Sequence, residues 1–155
     1  MKAVQIEKYT KDLQTKMKEI PVPTITDDQV LVKVKVAAVN PLELLIITDA
    51  VKLMQDYPMP LTLGNELTGV IKKVGGNDKD FQVGEKVYCR LNIDSIGVFA
   101  EYVAVDANAI AHLPKNLDFL TGAAAALTGL TAYQALHEEL QAKAGQTVFI
   151  PGGSG

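Results

Sequence analysis

Val30-Leu31-Val32-Lys33-Val34-Lys35-Val36 alternates cleanly. Val30, Val32, Val34 and Val36 fall on one face and Lys33 and Lys35 on the other, the pattern of a strand with one face in a core and one in water. Upstream, Pro21 and Pro23 mark a loop or a sheet edge, and Lys2 to Tyr9 alternates weakly, as a further strand would. Downstream, Thr68-Gly69-Val70-Ile71-Lys72-Lys73-Val74 is a β-branched run closed by the turn signal Gly75-Gly76-Asn77-Asp78. Val83 to Cys89 and Phe99 to Val105 repeat the pattern. Several short strands separated by turns predict a barrel or a rolled sheet. Leu42 to Leu63 reads as mixed helix and loop: Leu44-Leu45-Ile46-Ile47 is apolar, Val51-Lys52-Leu53-Met54 suits one or two helical turns, and Pro58 and Pro60 end the segment.

The texture changes after Pro114. Ala123, Leu127, Leu130, Tyr133, Leu136 and Leu140 recur at helical spacing, with Gly145 as a stop. Thr147-Val148-Phe149-Ile150 is then a short continuous apolar run, as expected of a parallel strand buried on both faces. A β module over residues 1–118 is thus followed, over 119–155, by helix, strand and Gly turn, the opening of a doubly wound α/β unit.

The chain has 155 residues, 48% of them hydrophobic and 21% charged, with a formal net charge of -3. That composition suits a folded domain and excludes a collagen-like or disordered chain. An acidic balance with dispersed charge argues against a nucleic-acid partner, which needs a basic stripe. The N-terminus lacks the apolar core of a signal peptide, and no stretch reaches the roughly 20 apolar residues of a membrane helix, so no membrane association is expected and the expected location is the cytoplasm. A single cysteine cannot form an internal disulfide.

Three stretches carry candidate chemistry. Gly152-Gly153-Ser154-Gly155 after an apolar run fits a turn that lets a backbone approach a pyrophosphate, and equally a plain Gly-rich tail. In Gly64-Asn65-Glu66-Leu67-Thr68-Gly69 the glycines fit turn and bulge positions, and Glu66 among apolar neighbours is either a packed carboxylate in need of partners or a functional one. In Val39-Asn40-Pro41 the proline holds Asn40 extended and aims its amide, which an ordinary loop Asn would also show. Metal chemistry is poorly supplied. Cys89, His112 and His137 lie far apart, His112 reads as a hydrogen-bonded structural residue and His137 beside Glu138 and Glu139 as part of a solvated helix face. No Gly-x-Ser-x-Gly elbow marks a serine hydrolase.

In order along the chain, Ala38-Val39-Asn40-Pro41, Gly64-x-Glu66-x-x-Gly69, Val83-Gly84-Glu85-Lys86-Val87-Tyr88, Gly97 to Val103, Leu113-Pro114, Ala124 to Tyr133 and Gly145 to Gly155 resemble the medium-chain dehydrogenase/reductase superfamily, and within it the zinc-independent quinone oxidoreductase branch. The resemblance implies a mainly β fold with α: a GroES-like β-barrel catalytic domain, then the start of a Rossmann α/β unit that binds NADPH, NADH being the alternative. Zinc-dependent relatives place Cys near the Asn40 position and His before the Glu; here these are Asn40 and Asn65, and amides are poor zinc ligands, so no metal site is expected. Glu43 stands where the family often has Asp. The implied reaction is hydride transfer to a quinone or an α,β-unsaturated carbonyl, with Asn40 and Asn65 as candidate catalytic residues. Asn40, Thr131, Gly152, Gly153, Ser154 and Gly155 are the implied cofactor contacts.

The resemblance also implies a small-molecule substrate, a possible homodimer and relatives about twice this length, so the 155-residue chain alone is expected to be inactive. Two other readings stand beside it. One is a non-enzymatic GroES-like module for binding or oligomerisation; the other is a zinc-type reductase resembling alcohol dehydrogenase.

Overall fold

The computed structural model describes residues 1–51, 55–77 and 80–153. Eight strands run in the order β1 (Lys2–Ile6), β2 (Lys16–Glu19), β3 (Gln29–Ala37), β4 (Leu61–Thr62), β5 (Glu66–Val74), β6 (Lys86–Arg90), β7 (Tyr102–Asp106) and β8 (Ile110–His112). Helix α1 (Pro41–Ile47) lies between β3 and β4, and α2 (Phe119–Tyr133) follows β8. Of the expected second apolar turn at Val51-Lys52-Leu53-Met54, residues 52–54 lie outside the described residues, as does Asp78 of the turn after β5.

The predicted strand at Val30 is the second strand of an antiparallel five-stranded sheet ordered β7-β3-β5-β6-β8. Val30 and Val32 are completely buried, together with Leu67, Ile71 and Val87 from the neighbouring strands. Val34 and Val36 are only half-buried, with Val34 packed against the margin of the main core. The β3–β5 register shifts twice, between Leu31 and Val32 and between Val34 and Val36, so strict alternation is not carried along the whole strand. Gly69 sits opposite Val34 at the second shift, where a Cβ would come within 2.6 Å of the Lys33 carbonyl oxygen. The close backbone approach is what demands glycine there.

A second sheet, β2-β1-β4, covers a smaller core of Ile6, Ile46, Ile47, Tyr57, Leu61 and Leu63. Phe99 packs against both cores. The sheets meet through the isolated bridge Ala3–Ala100 and the bond from the Val4 amide to the Phe99 carbonyl, 2.8 Å. Among the described residues the strands form a rolled pair of sheets, with no continuous ladder closing a barrel.

Asp118 is the N-cap of helix α2. Asp118 Oδ1 accepts the Thr121 amide at 2.7 Å, satisfying one donor of the first turn. The helix lays Gly122, Ala123 and Ala126 on the sheet. A Cβ at Gly122 would meet Leu113 and Thr68 at 2.4 and 2.9 Å, so small residues set how closely it approaches. Past Tyr133 the backbone widens into a π-helical stretch, Gln134–Glu139, and Gln141 in the left-handed region ends it before the expected stop at Gly145. The expected strand Thr147 to Ile150 is not formed. These residues pair with no strand among the described residues and lie exposed, Phe149 at 87%. A parallel strand draws its hydrogen bonds from neighbours, and an apolar run supplies only the propensity. No helix among the described residues is long and apolar enough to cross a membrane.

Replacing Gly69 with Ala is expected to destabilise the fold by about 1–3 kcal/mol, since the added methyl strikes backbone that cannot move aside. A denaturant titration of the variant against the parent measures this.

Candidate functional site

The segment from β3 to α1 turns at Asn40, the N-cap of α1, with Pro41 in the first helical position and Glu43 at the third. The Glu43 Oε2 carboxylate oxygen accepts the backbone N–H of Asn40. This is the reciprocal arm of a capping box, in which the third helical residue reaches back to the cap. It packs Glu43 into the interior at 2% exposure and leaves its Oε1 without a hydrogen-bond partner among the described residues. Burial is the main cause that raises the Glu43 carboxyl above the usual range; the Asn40 N–H opposes it, and the nearby Glu66 charge adds to it.

Asn65 and Glu66 enter from the other side, at the start of β5, and both are 1% exposed. Gly64 precedes them with φ +93°, and a Cβ there would run into the Phe99 ring and Val98. The tight turn therefore needs glycine, and it delivers Asn65 beneath α1. The Asn65 carbonyl is held by the Leu91 amide at 2.6 Å. Along β5, Leu67 and Ile71 point into the main core. Glu66 and Thr68 therefore face the opposite side, toward α2. Thr68 Oγ1 donates to the Phe119 carbonyl at 2.6 Å.

Glu66 answers the need for partners with two N–H donors. Its Oε1 accepts from Asn40 Nδ2 and its Oε2 from the Leu127 amide of α2, each at 2.6 Å. Charge-assisted bonds of this kind offset the large desolvation cost of a buried carboxylate. Arg90 is its cross-strand neighbour in the β5–β6 ladder. The second hydrogen of Asn40 Nδ2 faces Asn65 Oδ1 at 3.5 Å. Asn65 Nδ2 is buried and has no hydrogen-bond partner among the described residues.

The structure thus brings Asn40 and Asn65 together. Thr131 is not hydrogen-bonded to them among the described residues: its Oγ1 donates within α2 to the carbonyl of Leu127, the residue one turn earlier whose amide Glu66 holds, at 3.0 Å. Thr131 itself is exposed. Gly152 and Gly153 lie in an exposed turn, Gly152 with φ +69°, and make no hydrogen bond to the other candidates among the described residues. Ser154 and Gly155 lie outside the described residues. Glu43 was missed as a site residue, although Asn40-Pro41-Leu42-Glu43 spells the capping-box spacing that places it. A groove of about 460 Å³ between α2 and the β6–β8 edge, lined by residues including Tyr88, Arg90 and Tyr133, does not reach Asn40 or Asn65.

The metal-type residues are each engaged elsewhere. Cys89 is in the main core, where burial pushes its thiol up to about 12. His112 Nε2 lies 3.1 Å from Glu85 Oε2, and His137 stacks on Tyr133. Among the described residues no group of three or more His, Cys, Asp or Glu could hold a metal ion.

The raised Glu43 carboxyl sets a sign for stability. The folded state holds this proton more tightly than the unfolded chain, so its contribution is present below the unfolded pKa and is lost as pH rises through the folded one. Glu43→Gln does not titrate. The melting temperature of this variant, relative to the parent, is expected to climb between mildly acidic and neutral pH, as thermal melts across that range would record.

Comparison with known proteins converges on one family. Residues 26–115 match the model of the alcohol dehydrogenase GroES-like domain. Quinone oxidoreductase of Homo sapiens is 35% identical over 156 residues, covering 100% of this chain and 46% of that protein. The chloroplastic NADPH-dependent alkenal/one oxidoreductase of Arabidopsis thaliana is 35% identical over 142 residues, covering 88% of this chain and 36% of its own length. An alcohol dehydrogenase superfamily protein from Novosphingobium aromaticivorans superposes with a TM-score of 0.86 at 28% identity, over 94% of this chain and 44% of that one. The chain spans less than half the length of these relatives. With its GroES-like fold and its matches among oxidoreductases, the chain belongs to the medium-chain dehydrogenase/reductase superfamily, in the quinone oxidoreductase-like group.

Proposed function

We propose that the protein is a zinc-independent, NADPH-dependent oxidoreductase that reduces quinones or α,β-unsaturated carbonyls by hydride transfer. The observation that carries this reading is the unpartnered Asn65 Nδ2, buried beside Asn40 at the positions where zinc-dependent relatives place their ligands. A buried donor left unmade costs the fold about 1–3 kcal/mol, which a ligand oxygen would recover. The names of the relatives support the same substrate class, one being a quinone oxidoreductase and another an NADPH-dependent alkenal/one oxidoreductase.

The donor set fits a dinucleotide better than a metal. Both amides are neutral, and Asn40 Nδ2 is already spent on Glu66. Asn40, Thr131, Gly152, Gly153, Ser154 and Gly155 would hold the cofactor. When bound, its nicotinamide supplies the hydride. Asn65 donates its N–H to the carbonyl oxygen of the acceptor, where negative charge develops as the hydride arrives. Asn40 would contact the nicotinamide side of the cofactor, and it holds the Asn65 amide in place. The buried setting strengthens the Asn65 donor relative to water.

The whole protein acts on small molecules in the cytoplasm as a homodimer in this reading, with residues 119–155 opening its Rossmann unit. In this reading the 155-residue chain alone is inactive; Leu130, Tyr133 and Phe149 are exposed in it.

The test is NADPH oxidation with benzoquinone and with methyl vinyl ketone, by protein made from the full reading frame that encodes this chain. Turnover with at least one acceptor is expected, and Asn65→Ala is expected to lower kcat by roughly 10²-fold. Stoichiometric zinc by elemental analysis, or unchanged kinetics in Asn65→Ala, would overturn the reading.

A further inference from the structure

We propose that Glu66 is a positioning residue that sets the polarity of the site: through Asn40 it decides that Asn65 presents a hydrogen-bond donor rather than an acceptor. The inference rests on the proposed function for its kinetic arm and stands on geometry alone for its spectroscopic arm.

The argument is one of donors and acceptors. An amide side chain has an oxygen end that only accepts and a nitrogen end that only donates, and the two have nearly the same shape. Packing alone cannot choose between the two orientations; the neighbours must. Glu66 offers acceptors on both oxygens. One is claimed by the Leu127 N–H, fixed in the interior of α2. The other therefore faces Asn40 as an acceptor and requires the nitrogen end, which lies 2.6 Å away. The reversed Asn40 amide would set oxygen against oxygen in a buried site. With Asn40 fixed, its second N–H faces Asn65 and requires the oxygen end of that amide, Oδ1 at 3.5 Å. What remains of Asn65 is Nδ2, the unpartnered donor. The direction of two amides thus follows from a single carboxylate, and that carboxylate takes its own direction from a backbone N–H that cannot reverse.

Glutamine at position 66 breaks the logic without changing the shape. The Leu127 N–H claims its one acceptor, so its nitrogen end faces Asn40. Asn40 then turns its oxygen toward position 66, Asn65 reverses in response, and an oxygen faces the ligand. Aspartate keeps both acceptors on a shorter arm and preserves the polarity. A merely structural Glu66 would tolerate the near-isosteric Gln at least as well as the shorter Asp. The two roles therefore predict opposite rank orders.

The experiment compares Glu66→Gln, Glu66→Asp, Asn65→Ala and the double variant Glu66→Gln/Asn65→Ala in protein from the full reading frame. Kinetics use benzoquinone at saturating NADPH. Asparagine-selective isotope labelling follows the Asn65 side-chain NH₂ signals by NMR. Glu66→Gln is expected to lower kcat by roughly 10²-fold with little change in KM for NADPH, as removal of one charge-stabilising donor does. The double variant should lose no more than about threefold beyond Asn65→Ala, since both changes remove the same donor. Glu66→Asp should recover at least tenfold over Glu66→Gln. The Asn65 NH₂ signals should move in Glu66→Gln and stay near their parent positions in Glu66→Asp. Additive losses, a Gln variant better than the Asp variant, or unmoved Asn65 signals in Glu66→Gln would overturn the inference. If the parent protein turns over no acceptor, the proposed function fails, and the Asn65 signals alone still decide the role of Glu66.

Discussion

One carboxylate ties the two halves of this structure together. Glu66 is the first residue of β5, is withdrawn almost entirely from water, and is shared between an amide of the β3–α1 turn and a backbone N–H of α2. A charge in such a place is tolerable only if its acceptors are met, and a partial set of partners would be worse than an apolar residue. The requirement propagates outward. Asn40 must arrive from one side, which fixes where α1 begins. Leu127 must arrive from the other, which fixes the height of α2 over the sheet. Thr68 and the small residues Gly122, Ala123 and Ala126 let the helix come close enough to satisfy it.

Much of this was legible in the residues. The Val30 strand and the Thr68 to Val74 strand follow from the sequence pattern, because each buries one face against the same core. The helix after Pro114 forms as expected, but it packs on the other face of β5 through Gly122, Ala123 and Ala126, and Leu130, Tyr133 and Leu140 of its apolar spacing are exposed. The soft motifs, taken in order, pointed to the family, and the match over residues 26–115 agrees. The structure trims several elements by a few residues, and it opens the anticipated barrel into two sheets bridged at Ala3 and Ala100.

What could not be read has a common cause. The bond between Asn40 and Asn65 spans 25 positions and that between Glu66 and Leu127 spans 61. Local spacing carries no information about such pairs. Glu66 could be recognised as a residue in need of partners, but not which partners. The two places where β3 slips in register against β5 are likewise set by another strand. Thr147 to Ile150 shows the converse: its local preference is correct for a strand, yet ladder bonds come from neighbours, and none lies alongside among the described residues.

The attachment of α2 has a mechanical meaning. Its first half is clamped by Thr68 at Phe119 and by Glu66 at Leu127, while Leu130, Tyr133 and the π-helical stretch beyond carry their apolar side chains outward. Among the described residues Leu127 is the last point at which α2 is hydrogen-bonded to the sheets, so the helix beyond it is a cantilever. At 1.5 Å per residue the α-helical arm from there to Tyr133 is about 9 Å long, so a bend of roughly ten degrees at the support swings its tip by about 1.6 Å, and the π-helical stretch carries the motion further. A shift too small to disturb the sheet is thereby magnified at the far end, and the magnifying joint is the same carboxylate that orients the site.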